Sequence, residues 1–470
     1  MFNLLQYAKN TAVITDRGER FTYEHLFSEV QQFGLQIARR GLVCCLCKNE
    51  IGALIGYVSG ICYRNPLMLL DGGRDSDYFC SYIEKYHPEY IWTPSNKSSE
   101  FDGSVIYERH GYSLMKMNVK LGEANIHLHD KLALCLTTSG STGSPKLVRL
   151  TKENLESNAQ SIATYLNINE DERPITTLPM YYSFGLSVIN SHLIKGATIL
   201  LTNSTVFSKS FWDFFGQTFP TSIAGVPFTY EMLERMGFFQ MAMPSLKTMI
   251  QAGGKLNADV VKRYVQFAEE TNKSFIVMYG QTEASPRMSY LPFEYASTKP
   301  SSIGIPIPGG AFLLFDANGQ PIQEPNTEGE LVYKGANVCL GYAECREDLE
   351  KGDENKGLLR TGDVAFRDTE GFYYITGRLK RFVKIWGNRY NLDAIEQLIK
   401  PITTDCACVG NDNKIYVVVV DSKYVNEIAH LMNKKLQLDK SCYSINVIEK
   451  IPKTPSGKIQ YTELKSTIGL

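Results

Sequence analysis

The stretch Leu132-Ala133-Leu134-Cys135-Leu136-Thr137-Thr138-Ser139-Gly140-Ser141-Thr142-Gly143-Ser144-Pro145-Lys146 joins a short apolar run to a Gly/Ser/Thr loop that ends in lysine. The apolar run predicts a buried strand. A loop of this composition after a strand can serve a phosphate in three ways. Glycines let the backbone approach phosphate oxygens, hydroxyls and N–H groups donate to them, and Lys146 adds a mobile positive charge. A Walker A loop needs Gly-Lys adjacent, whereas Ser144-Pro145 separates Gly143 from Lys146 here. Taken alone, the segment could also be a flexible surface turn.

Outward from the loop, Thr151 is suited to cap a helix beginning Lys152-Glu153-Asn154-Leu155. Further strands are expected at Thr198-Ile199-Leu200-Leu201, Ser222-Ile223-Ala224-Gly225-Val226 and Ser274-Phe275-Ile276-Val277-Met278. Helical-length segments separate them, which argues for layered α/β architecture. From about Ser301 the texture changes. Gly304, Pro306, Pro308, Gly309 and Gly310 punctuate short strands such as Phe312-Leu313-Leu314-Phe315 and Glu330-Leu331-Val332-Tyr333, which suits a small β subdomain. Beyond Lys380-Arg381, a strand at Ile415–Val420 and a helix near Glu427–Lys435 predict a separate, smaller α+β domain. The expected organisation is α/β, with a large multi-subdomain N-terminal domain over 1–379 and a mobile C-terminal domain over 380–470.

Composition narrows the function classes. The chain has 470 residues, 43% hydrophobic and 21% charged, with net charge −1. A near-neutral balance gives no electrostatic reason to expect nucleic acid or an anionic membrane as partner. The N-terminus lacks a basic stretch followed by an apolar run, and the apolar segment from Ile51 to about Tyr63 is too short to span a bilayer. It reads as a buried helix, and the cytoplasm is the expected location. Of eleven cysteines, Cys44, Cys45 and Cys47, like Cys406 and Cys408, lack the paired spacing of a zinc site and read as buried thiols. His127 and His129 would share a face if they lay on a strand, but no third metal ligand accompanies them.

The loop from Thr137 to Lys146 resembles the signature of the adenylate-forming (AMP-binding) superfamily of acyl-CoA synthetases, peptide-synthetase adenylation domains and luciferases. Other motifs follow in the family's order. Tyr279-Gly280-Gln281-Thr282-Glu283 is similar to the element in which the tyrosine stacks on adenine, the threonine contacts the α-phosphate and the glutamate holds Mg²⁺. A π-face, a hydroxyl and a hard oxygen ligand suit those tasks. Gly253-Gly254 resembles the loop that passes close to nucleotide and acyl group. In Leu359-Arg360-Thr361-Gly362-Asp363 the resemblance gives Asp363 the ribose hydroxyls. Gly377-Arg378-Leu379-Lys380 resembles the hinge, with Lys380 as pivot, and Arg389 falls where the family places an arginine on the phosphates. Pro452 to Lys458 matches the motif with the catalytic lysine, Lys458. The nucleotide-binding set implied is Thr138, Ser139, Gly140, Ser141, Thr142, Gly143, Lys146, Gly253, Gly254, Tyr279, Gly280, Asp363, Ile375, Arg378 and Arg389, with Lys458, Thr282 and Glu283 catalytic. Phe21-Thr22-Tyr23-Glu24-His25-Leu26 resembles the family's opening strand–helix junction, so the likeness covers nearly the whole chain.

The resemblance implies ATP-dependent activation of a carboxylic acid to an acyl-adenylate, followed by transfer to a thiol of coenzyme A or of a carrier protein's phosphopantetheine. Two anions must meet, so cations are needed where charge builds up: Mg²⁺ on Glu283 and Lys458 between carboxylate and phosphate. Rotation about Lys380 would then withdraw Lys458 and present Trp386-Gly387 to the thiol. Three departures stand out. Leu147 follows Lys146 where glycine is more usual, and Lys255, after Gly254, is either a charge on the acyl rim or a solvent-facing lysine. In Leu178-Pro179-Met180-Tyr181-Tyr182-Ser183-Phe184-Gly185-Leu186, Gly185 stands where amino-acid-activating members carry the aspartate that pairs with the substrate's ammonium. A buried ammonium without a carboxylate is poorly compensated, which favours a non-amino acid. Tyr182, Phe184, Gly185 and Phe228 are the expected acyl-site residues, though such aromatics could equally be plain core. The alternatives are amino-acid adenylation for a carrier protein and a nucleotide-binding relative without turnover.

Overall fold

The computed structural model describes residues 1–118, 127–137, 146–385, 388–411, 414–436, 438–454 and 457–470, with the side chains of Lys384, Asn388 and Arg389 excepted. Thr138, Ser139, Gly140, Ser141, Thr142 and Gly143 of the phosphate loop therefore lie outside the described residues, as does Trp386-Gly387.

The chain forms two compact units. Among the described residues, the larger comprises 1–118, 127–137, 146–311 and 334–359. It is built on two sheets. One has eight strands in the order Gly341–Ala343, Leu147–Thr151, Leu132–Thr137, Leu67–Asp71, Val43–Cys47, Tyr90–Pro94, Tyr112–Met117 and Gly103–Arg109. Its middle strands are parallel and wholly or almost wholly buried, as expected of continuous apolar runs covered on both faces. Cys44, Cys45 and Cys47 are buried free thiols within it. The helix Ile51–Tyr63 is buried at every position through Ile61. Gly52, Gly56 and Gly60, one turn apart, let it lie close to the sheet: a methyl there would come within 2.4 Å of Tyr112, 2.4 Å of Trp92 and 2.5 Å of Leu67.

The other sheet has nine strands, ordered Ile305–Pro306, Arg287–Leu291, Ser274–Gly280, Thr248–Gln251, Ser222–Gly225, Pro174–Ile175, Ile199–Leu201, Thr11–Thr15 and Arg20–Thr22. The three internal strands anticipated from sequence fall within it. The helix after Thr151 runs Lys152–Tyr165. Its first turn is closed by a capping box in which Asn154 N–H donates to the Thr151 hydroxyl and Thr151 N–H to the Asn154 side chain.

The smaller unit contains Phe312–Tyr333 and Arg360–Leu470 among the described residues. A four-stranded sheet runs in the order Ala311–Phe315, Gly329–Lys334, Leu358–Arg367, Tyr373–Arg378. A hairpin follows, Phe382–Ile385 with Asn388–Asn391, then the sheet Cys406–Asn411, Lys414–Val419, Tyr443–Val447. The helices Leu392–Ile399 and Val425–Leu436 supply Ile395, Ile399, Ile428 and Met432 to the core against this last sheet.

The histidine pair departs from expectation. His127 and His129 lie outside any strand, so the premise of a shared face fails, and His127 sits 3.4 Å from Asp130 instead. Among the described residues no helix is long and apolar enough to cross a membrane.

Candidate active site

In the larger unit, the strand Leu132–Thr137 feeds the phosphate loop, and Leu147–Thr151 returns antiparallel beside it, with Thr137 opposite Leu147. Lys146 is thereby fixed at the strand's mouth. Its ammonium lies 3.8 Å over the ring of Tyr342 and 3.4 Å from Glu344. Tyr342 belongs to the neighbouring strand Gly341–Ala343, which pairs Tyr342 with Val148. Arg149 braces that strand: fully buried, it donates to the Tyr342 carbonyl at 3.0 Å and pairs with Glu354 at 2.5 Å.

The Tyr342 hydroxyl in turn donates to Oε1 of Glu283 at 2.7 Å. Burial, then the Glu283 charge, pushes the Tyr342 phenol far up, so it remains a donor at any working pH. Lys146 and Glu283, distant in sequence, thus share one tyrosine. Sequence reasoning missed Tyr342; the short apolar run Val338-Cys339-Leu340 ahead of Gly341 was the available signal for an added strand.

Thr282 and Glu283 lie in one turn of 3-10 helix at the end of the strand Ser274–Gly280. The turn is tightly determined: Gln281 N–H donates to the Pro286 carbonyl, and a methyl on Gly280 would fall 1.9 Å from that same oxygen. The Thr282 hydroxyl is 3.1 Å from that of Ser183, the first residue of the helix Ser183–Leu193. Tyr279 is half-buried, its hydroxyl 3.4 Å from Gln281 Nε2. The motif beginning at Tyr279 and the segment holding Tyr182, Phe184 and Gly185 are therefore neighbours. Gly253 joins them, since a methyl on it would lie 2.9 Å from the Tyr182 hydroxyl and its φ is +87°. Gly254 carries the next turn, accepting from Gln251 at 2.9 Å, and Lys255 is exposed.

Of the acyl-site residues, Phe184 is buried in an apolar cluster with Leu178, Val188, Val226, Ile250 and Met278, and Tyr182 packs against it. Phe228 is 45% exposed and its ring meets Phe207 edge-on, just beyond Val226 and Pro227, which lie against Gly253 and Gly254. Gly185 is enclosed, since a Cβ there would sit 2.3 Å from the Pro179 carbonyl oxygen. A second residue that sequence reasoning missed, Arg287, is 2% exposed with its guanidinium 3.9 Å over the Phe184 ring.

In the smaller unit, Asp363 and Arg378 are brought together. Asp363 is 2% exposed, and Arg378 Nε donates to its Oδ1 at 2.9 Å across the paired strands. A ribose reaching Asp363 would meet a carboxylate that already holds a guanidinium. Ile375 lies on the same strand as Arg378, opposite Ala365. Lys380 is exposed in the short turn Leu379–Arg381, and Arg381 beside it is anchored to Asp393 at 2.5 Å, to Glu396 at 2.6 Å and under the Tyr461 ring. Arg389 lies on the hairpin opposite Lys384, and its side chain is outside the described set. Lys458 is half-buried in a turn closed by the Thr454 N–H to Lys458 carbonyl bond at 2.8 Å and the Lys458 N–H to Thr454 hydroxyl bond at 3.1 Å.

Three comparisons bear on this arrangement. The family described as AMP-binding enzyme matches residues 83–343. A feruloyl-CoA synthase of an Amycolatopsis species is 28% identical over 353 residues, 72% of this chain and 70% of that protein. A 2-succinylbenzoate–CoA ligase of Bacillus cereus is 29% identical over 372 residues, 76% of this chain and 75% of that one. The o-succinylbenzoate CoA synthetase of Bacillus subtilis, solved with its acyl-adenylate intermediate, matches at a TM-score of 0.79 and 21% identity, covering 99% of this chain and 98% of that one. The chain belongs to the AMP-binding enzyme family and is an adenylate-forming acid–thiol ligase.

Proposed function

We propose that this chain uses ATP to activate a small non-amino carboxylic acid and then passes the acyl group to the thiol of coenzyme A. The observation that carries the first step is the placement of Lys146 and Glu283 on either side of Tyr342, one end at the phosphate loop and the other beside Thr282. Glu283 is suited to Mg²⁺: Tyr342 fixes one of its carboxylate oxygens, and the other has no hydrogen-bond partner among the described residues. Mg²⁺ characteristically binds through one or two carboxylates plus substrate phosphates and water, and here it would neutralise charge on the phosphates.

Within this reading Tyr279 stacks on adenine, Thr282 contacts the α-phosphate, and Asp363 holds the ribose. Arg389 contacts phosphate, and Lys458 bridges carboxylate and phosphate. Lys380 is the pivot between residues 1–379 and 380–470, and the anchoring of Arg381 supports a stiff link just beyond it. The enclosed Gly185 supports a non-amino substrate, because an aspartate side chain there would run into the Pro179 carbonyl. Coenzyme A is favoured over a carrier protein because the relatives described above are CoA ligases. The cytoplasm, where ATP and coenzyme A are held, is the corresponding location.

The test is ATP–pyrophosphate exchange over a panel of acids, followed by thiol capture with coenzyme A or a carrier protein. Exchange with non-amino acids and acyl-CoA formation is the expected result. Exchange with amino acids alone defeats the substrate assignment, and ATP binding without exchange for any acid defeats the enzyme reading.

A further inference from the structure

Arg287 opens the strand Arg287–Leu291, four residues beyond Glu283. Its backbone is locked: the N–H donates to Asn158, and the carbonyl accepts from Asn158 and Asn337. Its guanidinium is buried against the face of Phe184, and Nη2 has neither a hydrogen-bond partner nor access to water. No carboxylate pairs with it among the described residues. The ionisable groups that face it are the phenols of Tyr165 and Tyr182. The other buried arginines described in this unit each pair with a carboxylate, Arg149 with Glu354 and Arg346 with Glu89, although Nε of Arg346 also has no hydrogen-bond partner among the described residues.

A guanidinium so placed is costly. Stacking on a ring recovers part of the lost hydration, but a buried charge normally demands a counter-charge with hydrogen bonds. Arginine's planar fork is suited to a carboxylate in particular. The surroundings are the residues assigned to the acyl site: Phe184 beneath the guanidinium, Tyr182 with its hydroxyl 2.9 Å from where a Gly253 methyl would sit, and Ser183 on Thr282. A counter-anion in this place would arrive with the substrate.

We infer that Arg287 binds a second carboxylate on the acyl substrate, so that the acid activated is a dicarboxylic acid with one carboxylate held by Arg287 and the other presented to ATP. This rests on the acid-activation reading and specifies its substrate class. Arg287 selects and positions the substrate and takes no part in bond making.

The test uses matched acids in ATP–pyrophosphate exchange: butanoate against succinate, hexanoate against adipate, benzoate against phthalate. The wild-type enzyme is expected to favour the dicarboxylate in at least one pair by about 10–100-fold in kcat/KM, the range of a charge-assisted hydrogen bond. Arg287→Met should lose that margin, its dicarboxylate kcat/KM falling about 10–100-fold further than its monocarboxylate kcat/KM, and Arg287→Lys should retain part of it. A wild-type preference for the monocarboxylate in every pair overturns the inference but leaves acid activation standing. Equal loss on both members in Arg287→Met also overturns it, since that is the signature of a structural role. Should that variant fail to fold, the wild-type preferences decide alone. No exchange with any acid defeats both readings.

Discussion

The Tyr342 hydroxyl donates a 2.7 Å hydrogen bond to Glu283 while its ring face carries the Lys146 ammonium at 3.8 Å. One aromatic side chain thus orients an anion at its edge and a cation on its face. The ring quadrupole favours that polarity, and the hydroxyl hydrogen bond is charge-assisted. The strand Gly341–Ala343 exists in this place because it pairs with the strand that follows the phosphate loop.

Removing the hydroxyl alone should loosen Glu283. Tyr342→Phe keeps the ring under Lys146 and is expected to lower exchange about 10-fold or more, in the range of a hydrogen bond to a charged group. The Mg²⁺ concentration for half-maximal rate should rise. An Mg²⁺ titration of exchange checks this, and an unchanged midpoint would disconnect Tyr342 from the metal-binding role of Glu283.

Gly185 should tolerate no side chain. The three atoms nearest an added methyl are backbone of Pro179 and Leu178, and backbone yields less readily than a side chain. Gly185→Ala is expected to destabilise the fold by about 1–3 kcal/mol, and Gly185→Asp should destabilise without conferring amino-acid exchange. Thermal melting and the exchange panel read the two outcomes separately.

The same helix carries a pH liability. His192 is buried, donates from Nδ1 to the Val188 carbonyl at 2.8 Å, and is pushed down by that burial to about 4. The folded state holds it neutral, whereas in the unfolded chain it titrates near 6.5. Its contribution to stability is therefore complete above the unfolded value and is lost as pH falls from there toward 4. Between pH 7 and 5 the loss is about 2 kcal/mol. His192→Asn should flatten that part of the stability–pH curve measured by denaturant unfolding, and an unchanged slope would remove His192 as its cause.

Much of this was legible in the sequence because it depends on local pattern. Apolar runs bounded by turn residues located the strands around 132, 199, 222 and 274, and the Thr151 cap with its Asn154 partner located the helix that follows. Side-chain pairings between distant segments were not legible. Nothing local announces that Tyr342 will reach Glu283 or that Arg287 will lie over Phe184, since strand order sets both. Asp363 and Arg378 were each assigned to nucleotide, whereas antiparallel register places them against one another. The exposure of Phe228, in the first turn of the helix Pro227–Arg235, was likewise not legible from its type.

The central claim, that this chain joins ATP to an acid through a lysine carried in its C-terminal region, is tested most directly by comparing the wild-type enzyme with Lys458→Ala. The measurement is acid-dependent ATP–pyrophosphate exchange, with ATP binding followed in parallel by calorimetry. The account predicts exchange in the wild type and a fall of about 10²–10³ in the variant, with ATP affinity little changed. Exchange at the wild-type rate in Lys458→Ala would contradict it.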